Sequence, residues 1–476
     1  MKRLFVILIA ALGCKGVSAQ SYHITLQAPD YKSGIAYLAY HMGKNLNAED
    51  SAAVNNKGVA VFSGQRVLPG GIYAIVFPGK NKTVDFFIDK EQTITIKADT
   101  SDLLNKTVVL GSKENVLFDQ YQKYIASKGA LLEKEREAYA ASKTKADSAQ
   151  HEVNYRKYND ELNKYRDNII ATQPNSMMAV LLEAMKDPEV PNKKPVTHQD
   201  SLENYYYYKA HYWDGVTFMD ERVIRTPFFL PKLQRYYEEV LVQSPDSIIQ
   251  ALDYEMLLAR NNQEMYKFLL NWLTDEYFNP KYMGLDAVFV HLFEEYHSKD
   301  LSPWLNDKQH QAISKQAYMV MSNLIGLQGA NLELLDTADK KTALYDLAGD
   351  YTLVCFWDPT CSHCKEQIPK IDSIYEASWK QHNVKIYAVL TEDVIPEWKK
   401  YIREHNLGDW TNVHSTKEME KADADAQRPG FRQLYDVTLT PTLFLLDKDK
   451  RIIAKKLTWE QMNDLLQVKW KTPAAK

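Results

Sequence analysis

The period of apolar positions changes twice along the chain. From about Ser21 to Leu110 apolar residues come in short alternating runs: Tyr22 to Leu26, Ile35 to Tyr40, Val59 to Phe62, Ile72 to Phe77, Val84 to Ile88 and Thr93 to Ile96. Alternation buries one face of a strand and wets the other, and the turn signals Asn56-Lys57-Gly58 and Pro69-Gly70-Gly71 separate the runs. The segment therefore predicts a small antiparallel β-sandwich. From about Glu114 to Ile325 the period becomes helical, interrupted between Asp187 and Pro195 by three prolines. Beyond Gly329 strand-like and helical stretches alternate. Strands are expected at Thr352–Trp357, Val384–Leu390, Thr442–Leu446 and Arg451–Ala454, with helices at Lys365–Trp379, Pro396–His405 and Trp459–Gln467. This order is that of an α/β domain with parallel strands.

The 476 residues exceed one core, and the pattern shifts divide them into a leader at 1–19, a β-sandwich at 20–111, an all-α region at 112–327 and an α/β domain at 328–476. The leader follows from Lys2-Arg3, the apolar run Leu4 to Leu12 and the small-x-small pattern Val17-Ser18-Ala19, which predict cleavage before Gln20 and a place in the periplasm or cell envelope. A second reading of the same stretch takes Ala11-Leu12-Gly13-Cys14 as a degenerate lipoprotein box, with membrane contact only through a lipid on Cys14. No later stretch approaches a membrane span. The net charge of −4 gives no footprint for nucleic acid.

Chemistry concentrates at Cys361-Ser362-His363-Cys364, where the buried run Tyr351 to Trp357 gives way to a helical pattern. Two cysteines at this spacing can close and reopen a disulfide with little backbone movement. At a helix N-terminus, unpaired N–H groups and the positive end of the macrodipole favour thiolate at Cys361, making it the nucleophile and Cys364 its resolving partner. His363, if protonated near the sulfur, would make the pair less reducing. A structural zinc needs four ligands, and no second CxxC or CxxH accompanies this one. His291, Glu294, Glu295 and His297 lack the HExxH order and read as a solvated helix surface. Tyr205 to Tyr208 point all ways around a helix and read as mixed core and surface. With Cys14 removed, the remaining Cys355 reads as an inert strand thiol or as a third sulfur below the pair.

Strand Leu353–Trp357 feeding the CxxC, Pro369 within the following helix, and Thr440-Pro441-Thr442-Leu443-Phe444-Leu445-Leu446-Asp447 together resemble the thioredoxin superfamily. The lead-in Asn331 to Asp336 and Leu344 to Gly349 is similar to its extracytoplasmic TlpA/ResA branch. The resemblance implies a C-terminal thioredoxin fold and a cis Pro441 facing the CxxC. It also implies a client cysteine peptide docking along Thr440, Trp357 packing near the site, and an upstream membrane thiol donor of the DsbD type. No nucleotide, flavin or metal is expected. The first 330 residues resemble modules that precede redoxin domains in secreted bacterial proteins, which supplies architecture and no substrate. Two positions depart from the family: Cys355 stands where thioredoxins carry a buried Asp, and Gln367 where TlpA/ResA proteins often carry a Glu. Glu366, Glu392, Asp393 or water would then take the Cys364 proton.

The expected function is thiol–disulfide exchange with cysteine-containing protein substrates. A thiol peroxidase is one alternative, although the P-x-x-x-T/S-x-x-C order is absent, with Val354 and Asp358 at its first two fixed positions. A binding or scaffold protein, whose N-terminal domains engage a protein or glycan, is another.

Overall fold

The computed structural model describes residues 21–471; the leader reading at 1–19 and Cys14 lie outside them. The chain divides into two compact units, Met1–Leu241 with Leu258–Tyr266, and Val242–Leu257 with Lys267–Lys476. The helical segment expected at 112–327 is thus divided between them.

In the first unit, the alternating runs form β1 (Tyr22–Gln27), β2 (Ile35–Met42), β3 (Asn45–Ala53), β4 (Val59–Gly64), β5 (Gly71–Val76), β6 (Thr83–Ile88), β7 (Thr93–Lys97) and β8 (Val108–Leu110). They make two sheets, β4-β1-β7-β8 and β3-β2-β5-β6. Ile24, Leu26, Phe62 and Ile96 of the first share one core with Leu38, Tyr73, Ile75 and Phe86 of the second. The pairing is antiparallel throughout except β1 with β7, which is parallel. One pair thus departs from an otherwise antiparallel sandwich. β7 follows β6 of the other sheet, so a crossover and not a hairpin turn sets its direction.

The outer side of the second sheet is buried too. Ile72 and Phe87 pack with Phe118, Ile169, Met178 and Leu182 from the helices Lys113–Ala141, Lys145–Thr172 and Met177–Ala184. The buried Asn115 bonds both main-chain groups of Phe87, accepting from its N–H at 2.7 Å and donating to its carbonyl at 2.8 Å. It thereby satisfies edge strand β6 as a further strand would. Farther along, Tyr206 is exposed while Tyr205 donates to the Val240 carbonyl and Tyr208 packs on Tyr212, the mixed environment expected.

In the second unit, β9 (Glu333–Asp336), β10 (Lys341–Ala343), β11 (Tyr351–Trp357), β12 (Val384–Leu390), β13 (Thr411–His414), β14 (Thr442–Asp447) and β15 (Ile452–Lys455) form one mixed sheet, in the order β10-β9-β13-β12-β11-β14-β15. β11 runs parallel to β12 and antiparallel to β14. Leu353, Cys355 and Trp357 face one apolar cluster, Val354 and Phe356 the other. Both faces being covered, the strand reads as an unbroken apolar run.

His297 corrects the solvated-surface reading. Glu294 and Glu295 are exposed, but His297 is buried at the end of a π turn over Phe293–His297. The Thr274 hydroxyl donates to the Leu270 carbonyl and so accepts from His297 Nε2 at 2.9 Å, while Nδ1 lies 2.9 Å from the Ser302 hydroxyl. Burial, reinforced by the neighbouring His310, lowers the imidazole to about 4. An unfolded histidine titrates higher, so this stability is complete above the unfolded value near pH 6.5 and is lost as the pH falls toward 4. Denaturant unfolding should lose roughly 3 kcal/mol across that window, and His297→Asn should abolish this part of the slope. An unchanged slope in the variant would remove His297 as the cause.

Candidate active site

The loop leaving β11 turns straight into the helix Ser362–Ala377, with Cys361 as its N-cap residue. Asp358 shapes that loop. Its carboxylate accepts from the Thr360 N–H at 2.7 Å and from the Thr360 hydroxyl at 2.8 Å, and its carbonyl accepts from the Cys361 N–H at 3.2 Å. Its own N–H points at the Cys364 sulfur, 3.4 Å away. In the sequence this role is signalled by no more than an acidic residue three positions before a helix-capping cysteine.

The two sulfurs stand in different surroundings. Cys361 is partly exposed, and Cys364 is buried one helical turn on. Opposite them, the Thr440–Pro441 bond is cis, and the Cys361 thiol lies 3.6 Å from the Thr440 carbonyl. Partial burial pushes the Cys361 thiol up. The Cys364 N–H, the Thr440 side chain and the His363 N–H outweigh that, so the thiol sits below its ordinary value. These N–H groups do not line up as a formal cap hydrogen bond; they act on the sulfur electrostatically. Burial pushes Cys364 up to about 12, against the Asp358 N–H. Cys355 is fully buried and held well above the ordinary thiol range, by burial first and by Cys364 second. It is therefore a protonated core side chain.

The other expected site residues divide by reach. Ser362 and His363 are exposed on the first helical turn, and the part of His363 that meets the sulfur is its backbone N–H. Trp357 is fully buried, its carbonyl accepting the Thr391 N–H at 3.0 Å. The three carboxylates considered for the Cys364 proton are exposed and engaged elsewhere: Glu366 with Lys370 at 2.8 Å, Glu392 with Arg432 at 2.7 Å and Asp393 with Lys417 at 2.7 Å. Among the described residues, no group of three or more His, Cys, Asp or Glu side chains is placed to hold a metal ion.

Residues 325–455 match the AhpC/TSA family, residues 22–118 a domain of unknown function (DUF4369) and residues 140–323 another (DUF5106). The thiol-disulfide oxidoreductase ResA of Bacillus cereus is 27% identical over 146 residues, which are 30% of this chain and 77% of that protein. A solved domain of a possible thiol-disulfide isomerase from Cytophaga hutchinsonii is 34% identical, over 31% of this chain and 94% of that one, with a TM-score of 0.28. A solved thioredoxin-like protein from Bacteroides caccae is 20% identical, over 60% of this chain and 98% of that one, with a TM-score of 0.46. With a partly exposed sulfur at the head of a helix, a shielded one behind it and a cis-proline loop across from both, the C-terminal domain is thioredoxin-like, and the chain is a thiol–disulfide oxidoreductase of the thioredoxin superfamily.

Proposed function

We propose that Cys361 and Cys364 form the working redox pair and exchange disulfides with proteins outside the cytoplasm, in the periplasm or cell envelope. The observation behind this is the asymmetry of the sulfurs: one reachable and inclined to thiolate, the other enclosed and protonated. The Cys361 thiolate attacks one sulfur of a client disulfide; that S–S bond breaks, the other client sulfur leaves and takes a proton, and a mixed disulfide remains. Cys364 then loses its proton and attacks Cys361, the Cys361–client bond breaks, and the second client sulfur leaves protonated. Two electrons pass to the client, and the pair is left as the Cys361–Cys364 disulfide. The reverse order inserts a disulfide. A client segment lying extended beside Thr440 presents its cysteine to Cys361, and an upstream thiol donor returns the pair to the dithiol.

Reduced protein given limiting iodoacetamide at neutral pH should be alkylated at Cys361 at least about tenfold faster than at Cys364 or Cys355, which react only after unfolding. The same preparation should reduce insulin in the presence of a thiol donor. Equal alkylation of the three thiols, or no insulin reduction, would sink the assignment. Fractionation of the native host checks the compartment, with recovery in the envelope expected. No helix among the described residues is long and apolar enough to cross a membrane.

A further inference from the structure

We propose that Asp358 is a positioning residue for the resolving step: its carboxylate locks the loop so that its own backbone N–H meets the Cys364 sulfur as that sulfur becomes a thiolate. The inference rests on the redox reading above. The Trp357–Asp358 peptide, where β11 ends, is held on both sides. A planar trans peptide points its C=O and N–H in opposite directions. On one side the Trp357 carbonyl accepts from the Thr391 N–H at 3.0 Å and from the Thr391 hydroxyl at 3.3 Å. On the other the Asp358 N–H donates to the Cys364 sulfur at 3.4 Å. Beyond that amide, Pro359 has no N–H to offer, and both Thr360 donors turn back to the buried Asp358 carboxylate. An Asp or Asn side chain that takes the N–H two residues on closes a turn of this kind by itself.

Resolution is the step that uses this arrangement. A resting Cys364 thiol is a weak acceptor. When its proton leaves for solvent, the buried sulfur gains negative charge with little water to meet it. The Cys364–Cys361 bond then forms, the Cys361–client bond breaks, and the client sulfur leaves and takes a proton. An N–H already aimed at the sulfur meets the charge without reorganising. The Asp358 carbonyl also accepts from the Cys361 N–H at 3.2 Å, so one residue touches both halves of the pair. Attack by Cys361 precedes any charge on Cys364, however, and the aimed N–H therefore bears on the second step alone.

Stopped-flow reaction of the reduced full chain with a limiting chromogenic aryl disulfide tests this, because attack by Cys361 releases one coloured thiolate and resolution by Cys364 a second. Asp358→Ala removes the acceptor that closes the turn; it should slow the second release about tenfold and leave the first within about twofold. Asp358→Asn keeps an oxygen for both Thr360 donors and should hold the second release within about threefold of the parent. Thr360→Val, at an exposed position, removes only the hydroxyl donor; its second release should fall between those of the parent and Asp358→Ala, and it decides the matter if Asp358→Ala does not fold. Equal slowing of both releases, a parental second release in Asp358→Ala or in Thr360→Val, or an Asn variant as slow as the Ala variant would overturn the inference. The reagent is no protein client, so the two failures stay distinct. A parent that gives no second release fails the redox reading itself, whereas variants that keep pace with an active parent fail the inference alone.

Discussion

Cys361→Ser is expected to cut disulfide exchange by roughly a thousandfold or more, because a serine hydroxyl is neither ionised at neutral pH nor able to enter a disulfide. Cys364→Ser should behave differently. Cys361 still attacks, but nothing resolves the product, so clients accumulate as adducts that non-reducing gels display and dithiothreitol releases. The contrast follows from the geometry: only the first sulfur is reachable from outside, and only the second lies behind it. Exchange surviving in Cys361→Ser would end the proposal. A chain whose first 330 residues worked chiefly as a binding module would keep that function in Cys361→Ser, so the same variant separates the two.

Lys455→Met should destabilise the second unit by about 3–5 kcal/mol. Lys455 is buried at the end of β15; its ammonium pairs with Asp286 and donates to the Asn323 carbonyl at 2.8 Å and side-chain oxygen at 2.9 Å. Burial lowers its pKa, against the pull of Asp286. Asp286 is itself buried, and its second carboxylate oxygen has no partner among the described residues. Removing the cation strands that charge. A Lys455→Met, Asp286→Leu double variant removes both desolvated groups and should recover most of the loss in denaturant titrations. A double variant as unstable as the sum of its parts would show that the two are not coupled.

Elements with a one-sided or fully apolar pattern were legible in the sequence. β1, β4, β11, β12 and β14 fall within a residue or two of expectation, because burial dictates their composition. β3, Asn45–Ala53, was not. It is an edge strand held by its ladder to β2, and its polar side chains carry no alternation to read. β13 escaped too, since Thr411–His414 is short and includes a buried Asn and His. The helix Ser362–Ala377 begins three residues before the expected Lys365, because the turn around the CxxC is already helical.

At the site, the sulfur pair was readable from its spacing, and the proline loop from the family resemblance carried by Thr440 to Asp447. The contribution of Asp358 was not, because it depends on where a loop brings an N–H. His297 failed for the same reason. Flanking glutamates suggested water, while its own side chain turns inward to Thr274 and Ser302.

β11 lies between β12 and β14 and is buried from Thr352 to Trp357. The reactive loop is thus anchored to the centre of its sheet and not to a rim. Fraying at β10 or β15 leaves the spacing of the two sulfurs intact, so the chemistry is insulated from the small openings that a folded chain undergoes continually.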